Sequence, residues 1–398
     1  MSQSQSPPSV LWFQLIGLSL IQGAITLTWL LYRLYLPQLL ADFGFAGLSA
    51  TILIIENALG IILEPVAGNF SDRQRYWMGT RFPFISLGVI LASGLFIAIP
   101  TFFIFGQSFK NLYWIFPVLL ILWSVAMALF RSPATALLAQ YAIDTKLPQA
   151  MSLLIFVGGI VGAIRPISSE FILSLGAGIT FTLGSIVLLS SVGILRAFNP
   201  DLTVFSPVDN SQKKLYLKHL ILIGILGFFM ALATRLLLGE FAPKVIQSLG
   251  VNVKWMMFTG LLLLAFASIP AGLIAVKIGN HKATLIGLIA TAVLLVPLTF
   301  ISHPILFLLI LLLIVSYSFV ANGIIPIAFS LVPSQKAGLG IGIYFGAFSL
   351  AMAGYDLIVK QPGKVNLFVS SALGIMFFLT LAIVIRLIPK LTFSNQTV

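Results

Sequence analysis

Twelve apolar runs dominate the chain, at residues 10–38, 47–70, 82–106, 112–139, 149–175, 177–197, 216–240, 251–276, 283–301, 304–332, 337–359 and 366–388. Runs of about 20 residues are long enough for a helix to cross a hydrocarbon core roughly 30 Å thick. Water is missing at that depth, so every backbone N–H and C=O must find a partner within the segment, and a helix is the expected form of each run. Only 8% of the 398 residues are charged, against about a quarter in soluble domains. That is too few to cover a water-facing surface. The expected fold is an all-α membrane protein of twelve transmembrane helices. The first run is longer than a signal-peptide core, and no basic side chain precedes it, so it is expected to remain as the first helix.

The formal net charge of +12 does not point to nucleic acid, because the basic residues are scattered one to three at a time between apolar runs. With both termini placed in the cytoplasm, thirteen of the 22 Lys and Arg fall on the inner side and five on the outer side. This is the asymmetry expected of a multi-pass protein of the cell or inner membrane, whose partner is the lipid bilayer. The remaining four, Arg33, Arg131, Arg165 and Arg235, lie inside the runs. Cysteine is absent, so neither disulfides nor thiolate metal sites are available. The three histidines, His219, His281 and His303, sit at the ends of runs and make no ligand cluster. Neither an enzyme nor a metal or other cofactor is expected.

The chain reads as two similar parts. Pro37 to Gly44 (PQLLADFG) recurs as Pro243 to Gly250 (PKVIQSLG), Gly68 and Gly79 as Gly272 and Gly279, and Pro133 to Ala136 as Pro326 to Phe329. The offsets fall steadily from 206 to 193, as small differences in loop length would make them. The longest polar stretch, with two aspartates and several lysines including Lys213 and Lys214, lies between the parts. The expected organisation is an N-terminal six-helix half at 1–198, a cytoplasmic linker at 199–215 and a pseudo-symmetric C-terminal half at 216–398. Two such halves around a midplane site are the architecture of an alternating-access carrier.

Between the second and third runs stands a dense motif: Glu64, Pro65, Gly68, Ser71, Asp72 and Arg73, then five residues, then Gly79, Thr80, Arg81 and Pro83. It resembles the loop signature of the major facilitator superfamily. Its spacing is nearest to the sucrose/proton symporters and the glycoside–pentoside–hexuronide cation symporters. The resemblance implies a conformational latch made of Gly68, Asp72, Arg73, Gly79 and Arg81. Gly68 permits close backbone approach. Asp72 is an anion suited to the positive N-terminus of a helix, and the family pattern implies the one starting near Ala337 and Gly338. In the second part, the position matching Asp72 is Val276, so a symmetric second latch is not expected.

Charges at membrane depth are functional candidates by default. Glu56, Gly60 and Glu64 are four apart and share a helix face. The resemblance places Glu64 at the carboxylate that helps bind the coupling cation. The sodium-coupled members carry a further carboxylate on the fourth helix, where this chain has Arg131. A guanidinium facing Glu64 fills the space of a metal cation, so protons or no coupling ion are expected in preference to sodium; the alternative is a static Glu64–Arg131 pair. Arg165 and Pro166 interrupt the fifth run, and Arg165 can pair with Glu56 or bind an anionic group of a solute. Arg33, Arg235, Asp356, Trp29 and Tyr32 complete the candidate cavity, with Trp29, Tyr32 and Tyr35 available to stack on sugar rings. Gly158 with Gly162, and Gly342 with Gly346, read as close-packing faces.

The expected function is secondary active transport of a small polar solute, with sugars and glycosides the class implied by the resemblance, by alternating access and proton symport. Two alternatives are carried: a drug or metabolite exporter, and a transporter-like membrane assembly or pigment-delivery protein without solute flux.

Overall fold

The computed structural model describes residues 9–105, 110–199, 215–301, 305–359 and 365–393. The chain forms α1 (Trp12–Asp42), α2 (Ser49–Met78), α3 (Phe82–Phe105), α4 (Ile115–Ala136), α5 (Leu138–Tyr141), α6 (Leu147–Ala163), α7 (Arg165–Ser174) and α8 (Ala177–Ala197). It continues through α9 (Leu217–Thr234), α10 (Ala242–Ser248), α11 (Val253–Ile278), α12 (Asn280–Phe300), α13 (Ile305–Ser330), α14 (Ala337–Ile358) and α15 (Leu367–Phe393). Among the described residues there are twelve helical spans long and apolar enough to cross a membrane, and no strand. Most of the expected linker, residues 200–214 with Lys213 and Lys214, lies outside the described residues, as does His303.

Three expected helices are modified at polar or proline-bearing points. The fifth ends at Ala163 and restarts at Arg165, with Pro166 in the first turn of α7, because proline lacks the N–H that would continue the ladder. The seventh passes through a π-helical stretch at Arg235–Phe241 before α10; such widenings occur frequently at functional sites. The second is longer than its apolar run: it extends to Met78 and stops at Gly79, whose φ is +72°. A left-handed glycine is a common helix stop. The motif around Asp72 is thus the last part of a helix, and the loop proper is only Gly79 to Arg81.

Packing repeats six spans later. α1 packs on α6 and α8, α2 on α4, and α3 on α4 and α8; correspondingly α9 packs on α14 and α15, α11 on α13, and α12 on α13 and α15. Two large contacts join the sets, α2 with α14 and α6 with α11, and they occupy equivalent positions under the same repeat. Both are seams of small residues. Side chains built on Gly68 and Gly342 would strike the backbone of Gly338 and Glu64 respectively, and one built on Gly346 would lie 2.9 Å from the Ile61 carbonyl. That carbonyl has no helical donor above it, because residue 65 is proline. In the second seam, a side chain on Gly272 would come within 2.9 Å of the Pro148 carbonyl, and Ser268 Oγ donates to the Ser152 carbonyl at 3.0 Å. Small residues bring helices together in lipid because packing, and not water release, drives their association. Gly158 and Gly162 are looser, facing the side chains of Gln22 and Thr26 on α1.

Overpacking a tight contact costs about 1–3 kcal/mol. Gly342→Val should therefore lower the melting temperature of the purified protein, whereas Gly94→Ala, with nothing within 4 Å of the added carbon, should leave it unchanged or higher. Thermal melting in detergent checks the pair.

Candidate functional site

A cavity of about 800 Å³ lies between the two sets of helices. Its charged lining is Arg33, Glu56, Glu64, Arg131, Arg165 and Arg235. The rest is mixed, with Trp29, Phe345 and Phe348 beside Gln22, Thr26 and Asn57. At one end the α2–α14 and α6–α11 seams close it. Toward the other end Arg33 and Arg165 are exposed.

The closed end is held by charge. Asp72, on the last turns of α2, accepts from the Gly338 N–H at 2.9 Å and the Leu339 N–H at 2.8 Å. These are donors in the first turn of α14 with no partner inside their own helix, where the helix dipole favours an anion. Arg81 is fully buried and ion-paired to the same carboxylate. Arg75 donates to the Ser334 carbonyl at 3.1 Å, just ahead of α14. Gln140, with its amide oxygen turned toward the arginines, accepts from Arg75 Nε at 3.3 Å and from Arg81. Gly68 and Gly79 occupy the backbone positions described above. Arg73, expected in this set, is exposed at the helix surface; its place across the seam is taken by Arg75. The 3.6-residue turn points positions 72 and 75 toward α14 and position 73 away from it. At the equivalent point of the α6–α11 seam, Val276 offers no carboxylate.

One level deeper, Glu64 is 1% exposed and forms an ion pair with Arg131 at 2.6 Å, the arginine being 23% exposed toward the cavity. Ser132 Oγ donates to the same carboxylate. The Arg131 guanidinium lies 4.4 Å from the Phe345 ring centre on α14, a cation–π contact between the two halves of the fold. Arg131 Nε is buried without a hydrogen-bond partner.

Glu56 is also buried, but among the described residues it makes no ion-pair contact with Arg165: Tyr32 donates to it, and Arg33 acts on it across a longer distance. Tyr32 was a candidate cavity residue. It is instead fully buried behind Glu56, its ring 4.3 Å from that of Trp123, which stacks on Phe96 at 5.0 Å. Tyr35 is buried as well and donates to the Ile172 carbonyl at 2.7 Å, tying α1 to α7. Of the three aromatic candidates only Trp29 lines the cavity, with Arg33 5.4 Å from its ring centre. The three turned inward and outward by helix phase, which their shared spacing along one run does not reveal.

Arg33, Arg165 and Arg235 line the cavity near one another, from α1, the α6–α7 break and the π-helical stretch. Arg235 also lies 5.0 Å from the Tyr355 ring centre. Asp356 is at the rim, accepting from Asn57 Nδ2 at 3.4 Å. One buried acid is not among the expected site residues: Glu240 is 0% exposed, accepts from Tyr355 at 2.8 Å and pairs with Lys244 at 3.1 Å. The extra residue of the π-helical turn swings it inward, and no periodicity signals such a turn. At the rim, exposed Lys254 reaches Glu170 at 2.9 Å across the two sets of helices. Arginine carries a charge that it does not give up, so this cavity holds fixed positive groups beside two carboxylates that are each engaged by a neighbour.

No curated protein matches the sequence significantly. Among solved structures, a bacterial homologue of the iron transporter ferroportin in an outward-facing state aligns with a TM-score of 0.68 and 15% identity, covering 94% of this chain and 98% of that one. The human organic anion transporter MFSD10 aligns with a TM-score of 0.64 and 13% identity over 96% and 100% of the two chains. The E. coli fucose:proton symporter FucP aligns with a TM-score of 0.61 and 13% identity over 94% and 98%. At these identities the likeness is one of fold. The family profile described as Major Facilitator Superfamily matches residues 18–354. A match over that much of the sequence, on twelve spans enclosing a charged cavity, shows that the chain belongs to the major facilitator superfamily and is a membrane transporter of a solute.

Proposed function

We propose that this transporter moves a small polar solute by alternating access, with the parts at 1–198 and 216–398 rocking about the cavity, and that protons drive it by symport. The observation that carries the reading is the lock at the closed end. A seam held by close backbone contacts, by one carboxylate across two N–H groups and by single side-chain links such as Arg75 to the Ser334 carbonyl can separate as a unit, because small residues line most of it. Both termini are taken as cytoplasmic, which puts the lock on the inner side and makes this the outward-facing form. The chain resembles neighbours that include a fucose:proton symporter and an iron transporter homologue, so the fold itself is neutral on solute and ion.

The coupling step is assigned to Glu64. Its surroundings are Arg131, Ser132 and the Phe345 ring, with no cluster of acids among the described residues to share a metal cation. Sodium is therefore disfavoured. Protonating Glu64 releases Arg131 from the pair, and Arg131 already leans on α14, which moves with the other half. The proton thereby acts on a contact that changes between the two states.

Two outcomes are expected. Asp72→Asn keeps an acceptor for one N–H of α14 and removes the partner of buried Arg81. It should leave the protein folded and raise severalfold the labelling of Ser349→Cys from the latch side, with a matching fall from the other. The chain has no native cysteine, so labelling reads that position alone, and equal labelling in both proteins would remove the latch. Glu64→Gln should reduce accumulation driven by a pH gradient while exchange of solute survives; Glu56→Gln should weaken solute binding instead. Uptake and counterflow in proteoliposomes separate the two, and normal accumulation by Glu64→Gln would leave Glu64 as a static partner of Arg131.

A further inference from the structure

The uncompensated positive charge of the cavity narrows the solute. Arg33, Arg165 and Arg235 all line the cavity, and none of the ion pairs among the described residues includes them. The acids nearest to them make their direct contacts elsewhere, although Glu56 and Asp356 lie close enough to Arg33, and Asp356 to Arg235, to offset part of the charge. Glu64 is paired with Arg131, Glu56 receives the Tyr32 hydroxyl, and Asp356 receives the Asn57 amide at the rim. Even with all three acids ionised, the four cavity arginines exceed them by one.

Charges at this depth normally pair with one another. A group of guanidiniums that is left open, on helices that could have placed acids beside them, is a preformed receptor for an anion. Guanidinium is also the side chain whose forked donors match carboxylate and phosphate geometry. The walls around the arginines are not wholly polar: Trp29, Phe345, Phe348 and Met352 contribute carbon surface. An inorganic ion would leave that surface idle.

We propose that the transported solute is a small organic anion, its carboxylate or phosphate held by Arg33, Arg165 and Arg235 and its carbon body lying against Trp29 and Phe348. The proposal rests on the carrier reading for what the site does, and it deepens that reading by naming the solute class. An uncharged sugar leaves the three guanidiniums unmatched, whereas an acidic or phosphorylated sugar meets both the charge and the resemblance in the latch motif. The arrangement also suits proton symport. Co-transport of a proton offsets the charge of a monoanion, so that moving it through the membrane does not work against a negative interior potential.

The test uses the cysteine-free chain in sealed vesicles with Phe348→Cys as reporter. Its labelling rates by anionic 2-sulfonatoethyl methanethiosulfonate and cationic 2-(trimethylammonio)ethyl methanethiosulfonate are each divided by the rate with free 2-mercaptoethanol. A focused positive potential should favour the anionic reagent by about tenfold or more. Arg33→Gln and Arg165→Gln should each cut that preference severalfold, while Arg165→Lys retains it. Benzoate or glucose 6-phosphate should slow the labelling more than benzamide or glucose does. Equal or faster labelling by the cationic reagent, a preference untouched by both glutamine variants, or protection by neither anion beyond its neutral counterpart overturns the proposal. Alternating access is read separately, from whether the same cysteine is reached from both faces. Labelling from both faces with no anion preference overturns the anion site alone. Labelling from one face with the preference intact overturns rocking and keeps the anion site.

Discussion

Gly68 on α2 and Gly338 and Gly342 on α14 let two helices touch backbone to backbone, and the rest of the arrangement hangs on that contact. Bringing α14 so close sets its first turn beside Asp72, which then caps two orphan N–H groups of the neighbouring helix as well as neutralising buried Arg81. The same approach brings Phe345 to the guanidinium of Arg131 and closes one end of the cavity. In lipid there is no gain from hiding apolar surface, so close van der Waals contact and a few polar links must supply the adhesion. A seam of that kind is strong while shut and has little holding it once parted, which suits a joint that opens and closes.

Electrostatics in the interior follows one rule from end to end. Each acid at depth has a donor: Asp72 has Arg81 and two amides, Glu64 has Arg131 and Ser132, Glu56 has Tyr32, and Glu240 has Tyr355 and Lys244. Burying a carboxylate without such partners is too costly to persist. The arginines do not all have acids in return. Among the described residues, Arg33, Arg165 and Arg235 line the cavity without an ion-pair partner.

The two seams differ in a way that the repeat hides. α2–α14 carries the carboxylate cap, whereas α6–α11 has Val276 at the matching position and relies on Gly272, Ser268 and Ser152. A repeated packing pattern thus has one electrostatic contact and one packing contact at equivalent seams. Asp72 sits two turns from Glu64 on the same helix, so the two carboxylates belong to one rod.

Much was legible in the residues themselves. Twelve spans follow from run length and from the need to satisfy backbone groups without water, which act locally and leave their mark in consecutive residues. The glycine faces, the break at Arg165 and Pro166, and the suitability of Asp72 for a helix N-terminus are also written in spacing that a single helix can express. What depended on the tertiary structure was every question of which face meets which neighbour. Arg75 and not Arg73 crosses the seam, Tyr32 lies behind Glu56 and not in the cavity, and a π-helical turn rotates Glu240 inward. Each of those turns on a helix rotation of a fraction of a turn, fixed by the sum of contacts with helices far away in sequence. The sequence by itself determined how many helices cross and which charges are forced to depth; only the packed bundle decided which of those charges find partners and which are left facing the cavity, because a partner is set by distance in space and a span by neighbours in the chain.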